Sequence, residues 1–383
     1  MILSIEALRA LHGDCLLVHY GPPDAPRTVL IDGGPGVVYG ATLKPRLLEI
    51  RARMVAAGTI GATDPLPLAL AMVSHCDDDH IGGLVALTDD LDGGLGLTAV
   101  CWVKPKTLWH NTFEDLTGTP VDAIADVGLD DTTSGRTAAV IASVPQARVL
   151  ISQAEVCGWE INRGFGGELV QAPENGGKLV DLGDETTVTI LAPRSDEVEG
   201  LRKEWKKQMD RVKGGETTAA HVAAYVDRSP FNLSSIVCLI RQGQRSMLLT
   251  GDARGDLILK GLDAAGATVD GLVHVDVLKV PHHGSIRDVD TDFFDRITAD
   301  HYVISASGRY GNPESQTLEL IAASRHTDNF TIHLTYDKCE SDLAERVAAF
   351  IEARDAAGRT FAITPRADNA LSLRIDLGDP FPF

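Results

Sequence analysis

The chain has 383 residues, 44% of them apolar and 23% charged, the balance of a globular protein with room for a sizeable core. Its 54 acidic residues against 35 basic ones, a formal charge of −19, exclude a general basic footprint for nucleic acid and argue against docking on anionic membranes. No run reaches the roughly 18 apolar residues of a membrane span, and Met1 to Glu6 lacks the basic start and long apolar stretch of a secretory signal.

In chain order, Ile2 to Leu8, Cys15 to Tyr20 and Thr28 to Ile31 read as strands, the last two closed by Gly21-Pro22-Pro23 and Asp32-Gly33-Gly34. Lys44 to Ala57 places Leu47, Leu48, Ile50, Met54 and Val55 at the spacing of an amphipathic helix ended by Gly58. Leu66 to Val73 is expected as one buried strand, Ile81 to Leu84 opens a helix, and Thr98 to Val103 is the next strand. The middle, residues 104–230, predicts a polar loop over Asn111 to Pro120, a helix over Ser134 to Ala154 and a strand over Thr186 to Leu191. Asp196 to Lys213 mixes charges as a solvated helix or loop does. Strand signals return at Ile236 to Ile240, Met247 to Leu249, Val275 to Val280, His301 to Ala306 and Thr331 to Thr335. A helix over Ser341 to Ala357 and strands near Phe361 to Ile363 and Leu371 to Ile375 complete the chain. This order predicts two sheets with helices packed outside. No linker divides it, so residues 1–383 are expected as a single domain. The cysteines Cys15, Cys76, Cys101, Cys157, Cys238 and Cys339 form no CxxC pair and read as reduced thiols of a cytoplasmic protein.

The chemistry concentrates at strand ends. His75-Cys76-Asp77-Asp78-Asp79-His80 packs five candidate oxygen or imidazole ligands and a thiol into six residues. Like charges so close repel, and a bound dication turns that cost into a gain. Three further strands end abruptly in polar residues: Asp32 before a glycine turn, Asp252 in Thr250-Gly251-Asp252, and His282 and His283 in Pro281-His282-His283-Gly284-Ser285. Each cluster alone has a bland reading as a turn or loop; their joint appearance in one chain points to a metal centre.

The succession Asp-Gly-Gly, His-x-Asp-x-Asp-His, Gly-Asp and His-His-Gly-Ser resembles the metallo-β-lactamase superfamily. Within it, the pattern is most similar to the nuclease-like domain of ComEC-type DNA-uptake proteins and their free-standing relatives. His12-Gly13-Asp14, Asn232-Leu233-Ser234-Ser235 and Leu278-Lys279-Val280 extend the match, which covers residues 1–100 and 230–315 and leaves 104–230 as a family-variable insert. The resemblance implies an α/β fold, an αββα sandwich of two mixed sheets with helices on the outer faces. It implies metal ligands at His75, Asp77, Asp79, His80, Asp252 and one or both of His282 and His283, with Asp252 bridging two ions. Asp32 would orient the cluster from behind, joined by His12, Asp14 and Asn232. The pattern departs from the wider superfamily in two ways: Asp77 replaces an imidazole, and the strand near Ile190 to Pro193 lacks the usual third histidine. His110 either fills that gap or is a loop histidine. The oxygen-rich set favours Mn²⁺ or Mg²⁺ relative to Zn²⁺, with one or two ions bound.

The expected activity is hydrolysis by a metal-activated water, with Asp79 and Asp252 catalytic and Ser285 either holding a substrate oxygen or capping a helix. The resemblance implies a phosphodiesterase or nuclease acting on nucleic acid or a nucleotide. The acidity favours a small or single-stranded substrate. Rival readings are a lactone, ester or thioester hydrolase on the same fold, or a metal-binding signalling module of a bacterial defence system whose 104–230 insert meets a protein partner.

Overall fold

The computed structural model describes residues 1–93, 101–119, 135–213 and 234–383. The first half supplies β1 (Ile2–Leu8), β2 (Leu16–Gly21), β3 (Arg27–Ile31), α1 (Lys44–Ala56), β4 (Leu66–Leu68), β5 (Leu70–Met72), α2 (Asp78–Asp92), β6 (Val103–Pro105), β7 (Thr107–Trp109), α3 (Phe113–Thr117), α4 (Gly135–Val156) and β8 (Glu160–Ile161). The second supplies β9 (Lys178–Gly183), β10 (Thr186–Ala192), α5 (Ser195–Lys213), β11 (Val237–Gln242), β12 (Arg245–Leu249), α6 (Gly255–Ala264), β13 (Val273–Lys279), α7 (Thr291–Arg296), β14 (Ile297–Ile304), α8 (Ser315–Ser324), β15 (Thr331–Leu334), α9 (Leu343–Ala356), β16 (Ala362–Pro365) and β17 (Ser372–Asp376).

Two mixed sheets form, in the orders β17-β1-β2-β3-β5-β7-β8 and β16-β15-β14-β13-β12-β11-β10-β9. Period-2 alternation sends Leu3, Ile5, Val18, Val29 and Met72 inward from the first sheet, where they meet Ile190, Cys238, Ile240, Met247 and Val277 of the second. The outer face of the first sheet packs Leu30 and Ala71 against Leu47 and Ile50 of α1, Leu84 and Leu87 of α2 and Leu150 of α4. That of the second packs Leu248 and Leu278 against Ile258 of α6, Phe293 of α7, Leu318 of α8 and Phe350 of α9. Helix, sheet, sheet, helix is the αββα sandwich expected.

Within the first sheet β3, β5 and β7 run parallel, with Ile31 opposite Met72 and Met72 opposite Trp109. Within the second, β12, β13 and β14 run parallel, with Leu248 opposite Leu278 and Lys279 opposite Val303. The segments that leave these strands converge at one end of the sandwich, where parallel α/β sheets place their ligand sites.

Four expectations are corrected. The strand expected over Leu66 to Val73 is two: β4 leaves the main sheet to pair with β6, and only β5 continues in it. The polar stretch Asn111 to Pro120 contains α3, begun by Thr112, whose hydroxyl accepts from the Asp115 amide at 3.0 Å. The helix expected from Ile81 begins at Asp78, inside the acidic cluster. Cys101 and Cys157 are not reduced thiols: they form a disulfide with Cα atoms 5.8 Å apart, a pairing across 56 residues that no local spacing announces. That bond removes the thiol argument for the cytoplasm. Among the described residues no helix is long and apolar enough to cross a membrane. The N-terminal part of the strand expected over Thr98 to Val103, and Asn232, lie outside the described residues.

Candidate metal centre

His75 to His80 leave β5 and enter the first turn of α2. That helix seats backbone to backbone on the turn after β3: the Gly33 amide donates to His80 O and the Gly83 amide to Gly34 O, both at 2.7 Å. A Cβ on Gly83 would lie 2.0 Å from Gly33 O, so only glycine allows the approach that brings Asp79 and His80 to the sheet edge. From the opposite sheet come Asp252, after β12, and His282 and His283, after β13. Both histidines have left-handed backbones, φ 46° and 57°, at a cost of about 1–3 kcal/mol each that the fold sustains.

Every imidazole is held from behind. The Asp32 carboxylate accepts from the Ser74 amide and hydroxyl at 2.7 Å and from His80 Nδ1 at 2.9 Å. His75 Nδ1 lies 3.1 Å from the Ser74 hydroxyl, which already donates to Asp32 and so accepts from the ring. His283 Nδ1 donates to Ser305 O at 2.9 Å, and His282 Nδ1 pairs with Asp288. Carboxylates and carbonyls only accept, so each ring carries its proton on Nδ1 and turns Nε2 toward the centre.

Those Nε2 atoms surround Asp252: His80 is 3.3 Å from Oδ1, while His282 and His283 are 3.5 Å and His75 3.9 Å from Oδ2. His283 Nε2 is also 3.5 Å from Asp79 Oδ2, and His75 Nε2 is 3.6 Å from Asp77 Oδ2. The Nε2 atoms of His75, His80 and His283, with Asp77 Oδ1 and Asp252 Oδ1, are buried without a hydrogen-bond partner. Such orphans are rare and costly. The separations exceed a good hydrogen bond. Those of His80, His282 and His283, at 3.3–3.5 Å, match two ligand bonds of about 2.0–2.2 Å meeting at one ion, which hold nitrogen and oxygen roughly 3–3.5 Å apart; His75 stands slightly farther out, 3.6 Å from Asp77 and 3.9 Å from Asp252. Four triads, His75-His80-Asp252, Asp79-His80-His283, Asp14-Asp252-His283 and Asp14-Asp32-His80, have ligand atoms mutually within 4.8 Å. The donor set therefore fits divalent metal.

Charge follows the same geometry. Burial alone would lower the His80 and His283 imidazoles, yet Asp252 with Asp32 or Asp14 outweighs it and holds both well above their ordinary value. Burial would raise the Asp252 carboxyl, and His283, His282 and His80 instead keep it ionised. Protons on these rings stand where ions would bind.

The other expected residues distribute around this core. Asp14 is buried, paired with the buried Lys279, and 3.4 Å from His283 Nδ1; burial opposes its ionisation, but Lys279 prevails and its carboxyl is pushed down to about 2. His12 lines the mouth, a cavity of about 550 Å³ bounded also by Asp77, Asp79, Asp252, His282, His283 and Arg309. Ser285 lines a neighbouring cavity of about 720 Å³; its amide closes the turn Pro281 to Gly284 on His282 O, its hydroxyl accepts from the Arg287 amide at 3.4 Å, and α7 is capped instead by the side chain of Asp290. His110 is buried with both ring nitrogens unpartnered and its pKa pushed down to about 4 by burial and by His75. It joins none of the converging ligand groups among the described residues. Sequence reasoning assigned no role to Ser74, Lys279, Asp288 or Ser305. Lys279 carried a signal, the one cation in the valine-rich strand Val275 to Val280; the others are single polar residues without spacing.

Neither a protein-family model nor a curated protein matches this chain. Among solved structures, a point mutant of CmlA beta-hydroxylase superposes with a TM-score of 0.35 and 13% identity over 98% of this chain and 54% of its own. The chain thus spans about half of that structure's length. A likeness of that degree carries no argument about chemistry.

Proposed function

We infer that the chain is a metal-dependent hydrolase of the metallo-β-lactamase type that cleaves phosphodiesters in a nucleotide or short single-stranded nucleic acid. One observation carries the reading: imidazoles fixed through Nδ1 present unpartnered Nε2 atoms to a shared carboxylate, Asp252, at metal-bridging distances. His75 and Asp77 would hold one ion, Asp79, His80 and His283 the other, with Asp252 between them. His282 stands at the mouth against Asp252 and Asp288. The oxygen-rich set favours Mn²⁺.

Bound divalent ions supply Lewis acidity and a water acidified into the neutral range. The chain supplies position and proton handling. Asp79, its side chain 23% exposed, opens onto the cavity and is the carboxylate placed to take a proton from the attacking water. Asp32, Ser74, Asp288 and Ser305 keep the imidazoles in the ligand tautomer. The cavity wall bears Asp77, Asp78, Asp79 and Asp252 with one arginine, Arg309. Two bound dications would offset the four carboxylates and leave Arg309 in excess, which supports an anionic substrate.

The test is hydrolysis of bis-p-nitrophenyl phosphate by Mn²⁺-loaded protein, with Asp79→Ala lowering kcat at least about a hundredfold. Equal rates in wild type and variant would sink the assignment. Turnover of lactones or thioesters with none of phosphodiesters would transfer it to the ester-hydrolase reading.

A further inference from the structure

The loop after β14 runs over the mouth of the centre and is held from both sides. On one side the Glu340 amide donates to Ser307 O at 2.8 Å, and the Ser307 hydroxyl donates to Glu340 Oε1 at 3.0 Å. A Cβ on Gly308, whose φ is 97°, would lie 2.2 Å from Glu340 O, so the loop cannot lift without breaking this seam. On the other side the Glu314 amide donates to Gly284 O at 3.1 Å and Asn312 Nδ2 to His282 O at 3.4 Å, tying the loop to the turn that carries the histidines.

Between these anchors Tyr310 has φ 60° and ψ 12°, and is 64% exposed. A left-handed tyrosine is strained, and strain of this kind concentrates at ligand clamps. An exposed ring gains little from folding that would offset it. Tyr310 stands where the cavities of about 550 and 720 Å³ meet, for both are lined by His282, Tyr310 and Asn312. Beside it, the Arg309 guanidinium is 5.1 Å from the ring centroid, and its Nη1 is 3.4 Å from His12 Nδ1. Among the described residues no carboxylate forms an ion pair with Arg309. The mouth thus offers a solvent-facing aromatic ring, a guanidinium held by His12 and the Tyr310 ring with no carboxylate ion pair among the described residues, and adjoining space of nucleotide size.

We propose that Tyr310 and Arg309 form a nucleotide clamp, in which the Tyr310 ring stacks the base next to the reacting phosphate and Arg309 binds that nucleotide's phosphate oxygens. The clamp rests on the phosphodiester reading above, and adds that a base, and not only a phosphate, is recognised.

The experiment is calorimetric titration of the full, Mn²⁺-loaded chain with adenosine 5′-monophosphate and with ribose 5-phosphate, which lacks the base. Wild type binds the nucleotide about tenfold or more tightly than the sugar phosphate. Tyr310→Ala reduces the nucleotide to the level of the sugar phosphate, Tyr310→Phe retains the preference, and Arg309→Ala weakens both ligands. Equal affinity of wild type for the two, no binding of either, or a preference that survives Tyr310→Ala overturns the clamp. Because binding is read without turnover, the two readings separate. Hydrolysis of bis-p-nitrophenyl phosphate without a base preference removes the clamp alone. A Tyr310-dependent preference without hydrolysis removes the phosphodiesterase alone.

Discussion

Asp32 touches no part of the cavity, yet its carboxylate accepts from the Ser74 amide, the Ser74 hydroxyl and His80 Nδ1. It fixes the His80 tautomer directly and the His75 ring through Ser74. Asp32→Ala leaves His80 free to rotate and to place its proton on Nε2. Loss of such a partner costs about 10–100-fold in metal affinity. Competition against a chromophoric chelator, with circular dichroism to show an intact fold, measures it; unchanged affinity would show that Asp32 orients nothing. At this scale the sequence was informative where ligands cluster. His75 to His80 and His282 to His283 crowd titratable groups at strand ends, a density that turns seldom carry. Their partners were not legible. Ser74 is a single hydroxyl residue, Ser305 acts through its backbone carbonyl, which every residue carries, and Asp288 meets His282 only because the chain folds back after the left-handed turn at His282 and His283.

Among elements, α2 controls the geometry of the centre, because its first turn carries Asp79 and His80 and its glycines lie on the β3 turn. Gly83→Ala inserts a methyl group 2.0 Å from Gly33 O and 2.6 Å from Gly33 C. Both are backbone atoms, so the helix must translate. Overpacking of this type costs about 1–3 kcal/mol, and the shift also moves His80 away from Asp252. Urea denaturation of the metal-free protein should show the loss, and metal titration a weaker affinity. A stable variant with native affinity would mean that the contact relaxes elsewhere. The strands were legible because β-branched and leucine runs stop at glycine or proline. The split of Leu66 to Val73 was not, since it depends on β4 finding β6, a partner distant in the chain. The helix α3 could have been read: Thr112 and Asp115 have the spacing of a capping box.

For the molecule as a whole, a half-buried and a buried histidine remote from the centre, His333 and His19, set a pH limit on stability. His333 on β15 pairs through Nε2 with His301 Nδ1 on β14 at 3.0 Å. Burial, and secondarily the His301 imidazole, push its pKa down to about 4. His19, stacked on Phe381 at 3.6 Å, is lowered well below its ordinary value, first by burial and then by Arg46 and Arg374. Unfolding returns both rings to water, where they bind protons near pH 6.5. Between that pH and the folded value the unfolded chain carries more protons, so stability rises with pH across the window. The contribution is complete above about 6.5 and is lost as the pH falls toward about 4. His333→Gln keeps a group able to hydrogen-bond His301 but does not titrate. The loss of stability between pH 7 and pH 5, read from urea midpoints at constant ionic strength in chelator, is therefore expected to be smaller in the variant than in wild type. Comparing the two proteins under one condition cancels the opposing contribution of the raised His80 and His283, which both share. An equal or larger loss in the variant would mean that His333 titrates in the folded chain much as it does in water.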